Sequence, residues 1–157
     1  MKVKEGLSIH GHWDLWLRNI HTGEVKHYEK DNVFCNVGKN AIADQLANQD
    51  SSTLSITYVA TGTGAGTPSA SNVKLFTELA RNTNASNTTA NNVATIKGYF
   101  NSGESNGVLT EMGAFGDGSA STASASADSG IMFSHVSIDI TKTSSEDLTC
   151  QFTITIT

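Results

Sequence analysis

Leu148, Cys150, Phe152, Ile154 and Ile156 alternate without a break against Thr149, Gln151, Thr153, Thr155 and Thr157. A strand shows successive side chains to opposite faces, so this run predicts a half-buried antiparallel strand with threonines on its wet side. The same period of two recurs near the amino end. Leu7, Ile9, Trp13, Leu15 and Leu17 hold odd positions, against Ser8, His10, His12, Asp14 and Arg18 on even ones. Gly11 marks a bend or bulge in that strand, and Trp16 places an indole on the polar face. Asn19–Gly23 reads as a hairpin loop, and Glu24 to Tyr28 as the returning strand.

One segment changes period. Asn36 to Asn48 carries Ile42, Leu46 and either Val37 or Ala41 on one helical stripe, with Asn36 placed as cap and the polar run Asn48–Ser52 as its end. Strands follow at Leu54-Ser55-Ile56-Thr57-Tyr58, around Ala94, Ile96 and Phe100, over Val108–Phe115 and over Ile131–Ile140. Leu75–Arg81 fits a short strand or one helical turn. The polar stretch Asn82–Asn92 predicts an exposed loop or hairpin tip, and Asn101-Ser102-Gly103 a turn. Ser119–Gly130, built of Ser and Ala, predicts a long mobile loop because it lacks apolar mass to pack. The sum is about eight strands and one helix, each strand with one face to cover. The expected architecture is therefore mainly β: an antiparallel two-sheet β-sandwich, jelly-roll-like, with one short α-helix. It forms a single domain over residues 1–157, with an amino-terminal hairpin at 6–34, the helix at 36–48 and the sandwich body at 54–157.

Composition narrows the function classes. A net charge of −5 with ten scattered basic residues argues against nucleic acid, whose phosphates call for clustered Lys and Arg. No apolar run approaches the ~20 residues of a membrane helix. The stretch Met1–Gly6 lacks the apolar core of a signal peptide, so synthesis and folding are expected in a cytoplasm. Cys35 and Cys150 both sit in apolar register and read as buried free thiols.

Most candidate chemistry resolves into structure. Gly62-Thr63-Gly64-Ala65-Gly66 follows a strand, but Thr67 stands where a dinucleotide fingerprint needs Gly, and Pro68 argues against the helix that must follow. It reads as a flexible turn at the sheet end. His10 and His12 have the spacing that lets two imidazoles share a metal on one strand face, yet no third ligand is implied locally. Asp117, Asp128, Asp139, Glu146 and Asp147 surround loops rather than a pocket. No Gly-x-Ser-x-Gly elbow occurs. The Asn84 and Asn87 sequons belong to a loop rich in Asn and Thr. No catalytic, cofactor or metal residue is assigned. Trp13 and Trp16 point to opposite faces of a regular strand, so one serves the core and the other is free for a partner.

A resemblance points the same way. Val59-Ala60-Thr61-Gly62-Thr63-Gly64 with Thr67-Pro68, Leu75, Glu78-Leu79 and Arg81 is similar to a run found in virion proteins of tailed bacteriophages. So are Val108-Leu109-Thr110-Glu111-Met112-Gly113-Ala114-Phe115, Gly130-Ile131-Met132-Phe133 and Ile140-Thr141-Lys142-Thr143. The likeness spans 54–157 and the preceding helix. It departs at Ala114, where the pattern has Leu, and in the Asn/Thr-rich 82–92 segment. It implies a non-enzymatic structural protein of the virion, assembled in the host bacterial cytoplasm. The favoured place is the capsid surface, as a decoration (cement) protein; the alternative is a tail or baseplate adhesin module. Partners would be other virion proteins and further copies of the chain, with a trimer or larger ring suited to closing edge strands. Interface contacts are expected from the hairpin, through Trp13, Trp16, His10, His12 and Tyr28. Arg81, Glu111, Gly113 and Lys142 are read as structural, with Glu111 paired to Arg81, accepting backbone N–H groups, or lying exposed on an edge strand.

Overall fold

The computed structural model describes residues 6–48, 54–118 and 121–157. The readings made on residues 1–5, on the polar run beyond Asn48 up to 53, and on residues 119–120 lie outside the described residues. In chain order the elements are β1 (Ile9–Asn19), β2 (Val25–Asp31), β3 (Val33–Phe34), α1 (Asn36–Leu46), β4 (Ser55–Gly62) and β5 (Glu78–Thr83), followed by β6 (Ser86–Ala90), β7 (Val93–Phe100), β8 (Gly107–Asp117), β9 (Ile131–Lys142) and β10 (Glu146–Ile156).

Two antiparallel five-stranded sheets form a sandwich, one ordered β2-β1-β10-β7-β6 and the other β3-β9-β8-β4-β5. Period-two burial is what closes it. Trp13, Leu15 and Leu17 from β1 meet Leu148, Cys150 and Phe152 from β10 on the inner face. Leu109, Met112, Ala114, Phe133, Val136, Ile138 and Ile140 come from the opposite sheet. A bulge between Leu109 and Glu111 lets Leu109 and Met112 both face inward. Trp13 stacks on Phe152, ring centroids 4.8 Å apart, and its Nε1–H donates across the sandwich to Ser134 Oγ at 2.9 Å. Both cysteines are free and buried. Burial pushes the Cys35 thiol up to about 11 and the Cys150 thiol up to about 12, leaving neither a nucleophile.

Several expectations are corrected here. Gly11 lies in regular register opposite Ile154, without a bulge. Its missing Cβ makes room for the Asn32 side chain and the Phe152 ring, which would come within 2.1 and 2.7 Å of one. The helix ends at Leu46, its N-cap is Cys35, and no side chain caps it; Asn36 instead gives its N–H to Ala70 O. Its buried residues are Gly38 and Ala41, while Leu46 is 78% exposed. The reason is proximity: a Cβ on Gly38 would stand 2.9 Å from Phe133 Cα, so a small residue makes the closest approach to β9, while Val37 and Ile42 pack half-buried against the core. Leu75 precedes a strand, β5, and does not begin a helical turn. The Asn/Thr-rich segment is exposed as expected, but it contains the edge strand β6.

A second apolar layer lies outside the β3-β9-β8-β4-β5 sheet. The segment between β4 and β5 folds back over that face and buries Leu75 against Cys35, Ala60, Phe115 and Met132. Lys142, at the other end of β9, holds the β7–β8 connection. Its buried ammonium donates to Asn101 O and Glu104 O, both at 2.8 Å, and to Asn106 Oδ1 at 2.9 Å. All three N–H hydrogens are thus used. Burial pulls its pKa below the ordinary lysine value.

At the same end Arg18 grips the buried Asp147, Nη2 to Oδ2 at 2.5 Å, and the Tyr99 hydroxyl donates to the same carboxylate. The Arg18 hydrogen bond holds Asp147 below the usual carboxylate range. A depressed folded pKa contributes stability above the unfolded value of about 4, lost as pH falls through the folded value. Thermal unfolding of the natural protein and of Arg18→Gln should therefore differ at neutral pH and converge near about pH 2. An equal gap at both ends would show that this pair is not its source.

Candidate functional site

The charged groups assemble in three places. The first is the face covered by the β4–β5 segment. Glu111 stands on β8 opposite Gly62 and His135 on β9 opposite Gly113, so both project into the space under that segment. Glu111 is 1% exposed and His135 fully buried. Glu111 Oε1 accepts the N–H groups of Gly64 at 3.0 Å and Thr77 at 2.8 Å; Oε2 accepts Phe76 N–H at 3.0 Å and meets His135 Nε2 at 2.8 Å. Thr110 Oγ1 donates to Gly64 O, so the glycine is held at both ends of its peptide. A Cβ on Gly62 or Gly64 would come within 2.5 Å of Glu111 Oε1. The Gly-rich run is therefore a fixed wall around a carboxylate and not a flexible turn.

The proton count of this assembly follows from its acceptors. Asn72 Oδ1 accepts Ser69 N–H at 2.6 Å, so the face of the amide that meets His135 Nδ1, at 3.0 Å, is an acceptor and Nδ1 must donate. One further proton lies between His135 Nε2 and Glu111 Oε2, and the pair is net neutral whichever atom carries it. Phe76 closes the assembly, its ring 4.9 Å from the imidazole. Every group in it has a partner, and neither described cavity is lined by Glu111 or His135. Its chemistry is to hold the covering segment to the sheet. Gly113 is crowded in the same layer, with a Cβ there meeting Phe115, Ser134 O and Leu75 at 3.0–3.1 Å.

The second place corrects the expected Glu111–Arg81 pair. Arg81 binds Glu78 bidentately at 2.7 and 2.8 Å, and both side chains are buried. A register shift between Thr61 and Gly62 leaves Leu79 without a partner in the ladder and turns Glu78 onto the face of Arg81. The guanidinium lies 4.2 Å from the Phe115 ring centroid and donates to Ser129 O at 2.7 Å. Asp128 N–H reaches Glu78 Oε2. The described part of the Ser/Ala tract is thereby tied to β5 through hydrogen bonds.

The third place is the outer face of the β1–β2 hairpin. The ladder sets His12 opposite Asp31, Asp14 opposite Glu29 and Trp16 opposite His27. Asp31 Oδ1 lies 2.9 Å from His12 Nδ1, and His27 Nε2 lies 2.9 Å from Asp14 Oδ1. The Asp31 hydrogen bond holds His12 above the ordinary histidine range, partial burial working against it. Trp16 stacks on His27 with centroids 5.0 Å apart and 8° between planes. Of the residues expected to make contacts, Trp16, His10, His12 and Tyr28 are partly or wholly exposed. Trp13 is not: it is completely buried in the core. His10 sits apart from His12's partners, its Nε2 3.1 Å from Ser8 Oγ.

The larger described cavity, about 470 Å³, opens between the sheets beside Ile9, Phe34, Ile42, Ile96 and Ile154, and no titratable side chain lines it. No protein family, curated protein or solved structure matches the chain.

Proposed function

We propose that this chain is a non-enzymatic structural protein of a tailed-phage virion, placed on the capsid surface as a decoration protein that stabilises the particle through symmetric contacts. The observation that carries the reading is where the residues of the resemblance fall in the fold. Gly62, Gly64 and Glu111 form one buried assembly; Glu78, Arg81 and Phe115 form the adjoining one; Lys142 holds the opposite end. Short motifs scattered over the chain serve one purpose, fixing connections to a sandwich, which is what a rigid building block requires. The buried charged groups Glu111, Glu78, Arg81 and Lys142 are each held by hydrogen bonds within the fold. The larger cavity offers apolar walls without an acid or base.

The outer surface supplies the means of assembly. Trp16 lies on the open face of the hairpin, where an aromatic ring can anchor a partner. At the far edge of the same sheet β6 presents Ser86–Ala90, exposed throughout and free of charge or proline. Natural edge strands are ordinarily guarded by such residues. An unguarded edge suits a neighbouring copy or another virion protein. Antibody raised against the purified chain and imaged on phage particles that carry it should decorate the head. Label confined to the tail tip would transfer the protein to the adhesin reading, and unlabelled particles would remove it from the virion.

A further inference from the structure

The hairpin face described above has a second property that decoration does not require. One nitrogen of His12 and one carboxylate oxygen each of Asp14 and Glu29 all lie within 4.8 Å of one another. Ligands of one zinc-class ion, bound at about 2.0–2.2 Å, stand at most about 4.2 Å apart. His12 Nε2 to Glu29 Oε1 is already 3.9 Å. Side-chain rotation at both Asp14 and Glu29 is needed to close the remaining separations, up to 4.8 Å, onto an ion.

The supports decide which atoms are free. Asp31 takes the Nδ1 side of His12, which fixes the tautomer and leaves the Nε2 lone pair turned toward Glu29. His27 takes one oxygen of Asp14, leaving the other, and Trp16 holds the His27 ring flat against its indole. A carboxylate behind a ligating histidine and a donor behind a ligating carboxylate are the arrangement that orients ligands before an ion arrives. We infer that the outer face of the β1–β2 hairpin binds a single zinc-class divalent ion through His12 Nε2, Asp14 and Glu29, with Asp31 and His27 as positioning residues. One nitrogen and two oxygens suit a borderline ion over magnesium or calcium, which favour oxygen alone. Solvent completes the coordination, because the face is open. The inference does not depend on the virion reading.

Calorimetric titration of the untagged protein with zinc chloride at about pH 8, where protons compete least with the metal, tests it. A one-site isotherm is expected, with no heat from magnesium chloride. His12→Gln should abolish the isotherm, and Asp31→Asn should weaken binding by about 10–100-fold. His10→Asn should leave it unchanged. Circular dichroism of the variants confirms that these surface changes leave the fold intact. No saturable binding by about 1 mM zinc, well above the range of a built site, would overturn the inference. So would an isotherm that survives His12→Gln or is lost with His10→Asn.

Discussion

Glu111→Ala is expected to be the most damaging single carboxylate change in the protein, lowering unfolding stability by about 3–5 kcal/mol in urea denaturation. The carboxylate is the common acceptor for Gly64, Phe76 and Thr77 N–H groups and the partner of His135. Removing it strands three backbone donors and one imidazole in a dry layer, and each orphan keeps its desolvation cost. Glu111→Gln separates charge from hydrogen bonding. Its amide oxygen can still accept Gly64 and Thr77, and its NH₂ can donate to a neutral His135, but that same NH₂ confronts Phe76 N–H. Roughly half of the alanine loss should therefore return. Amide exchange gives a local reading should the alanine variant fail to fold. In Glu111→Gln, Phe76 should lose protection before the β8–β9 ladder does. Unchanged urea midpoints in both variants would mean that the covering segment does not depend on this carboxylate.

The contrast between Glu111 and Arg81 shows what the sequence could and could not disclose. β1, β10 and the second half of β9 are legible because one buried face imposes alternation, whereas β8 and the first half of β9 are buried on both faces and carry no such period. β6 leaves no such trace, since all five of its side chains are exposed and none is large and apolar. β3 is two residues long, too short to set a period. The helix was legible as a helix and largely by its contact face, since Ala41 is buried and Val37 and Ile42 pack against the core; Gly38, which carries no apolar signal, was missed, and Leu46 turns outward. That Glu111 accepts backbone N–H groups was one of three open alternatives, beside pairing with Arg81 and lying exposed on an edge strand. Choosing between them required the bulge at Thr61/Gly62, which moves Glu78 beneath Arg81 and has no sequence signature. His135 lies 24 residues from Glu111 along the chain, so only the β8–β9 register joins them.

The hairpin face was closer to reach. Once Arg18 stands opposite Val25, counting inward sets His27, Glu29 and Asp31 across from Trp16, Asp14 and His12. Ending the second strand at Tyr28 hid the last two of those partners, and with them the third ligand that the His10–His12 spacing lacked. The useful pair was His12 with residues across the ladder, not along its own strand.

The two tryptophans of β1 should part company on mutation, with the second-largest stability effect at Trp13. Trp13→Ala empties a fully buried site stacked on Phe152 and bonded to Ser134 across the sandwich, and should cost about 3–5 kcal/mol. Ser134 Oγ retains a donor from Asn32 Nδ2 at 2.7 Å, so the loss is mainly cavity and dispersion. Trp13→Phe, which keeps a ring against Phe152, should recover more than half of it and remain measurable if the alanine variant does not fold. Trp16→Ala removes an indole from the outer face and should cost about 1 kcal/mol or less. Particle binding should sort the same residues the other way. If the proposed role holds, Trp16→Ala should weaken attachment to particles while leaving the urea midpoint nearly in place, whereas folded Trp13→Phe should attach normally. Equal stability losses at the two positions would contradict the inward and outward assignment of the strand. Normal attachment by Trp16→Ala would take the hairpin face out of the interface.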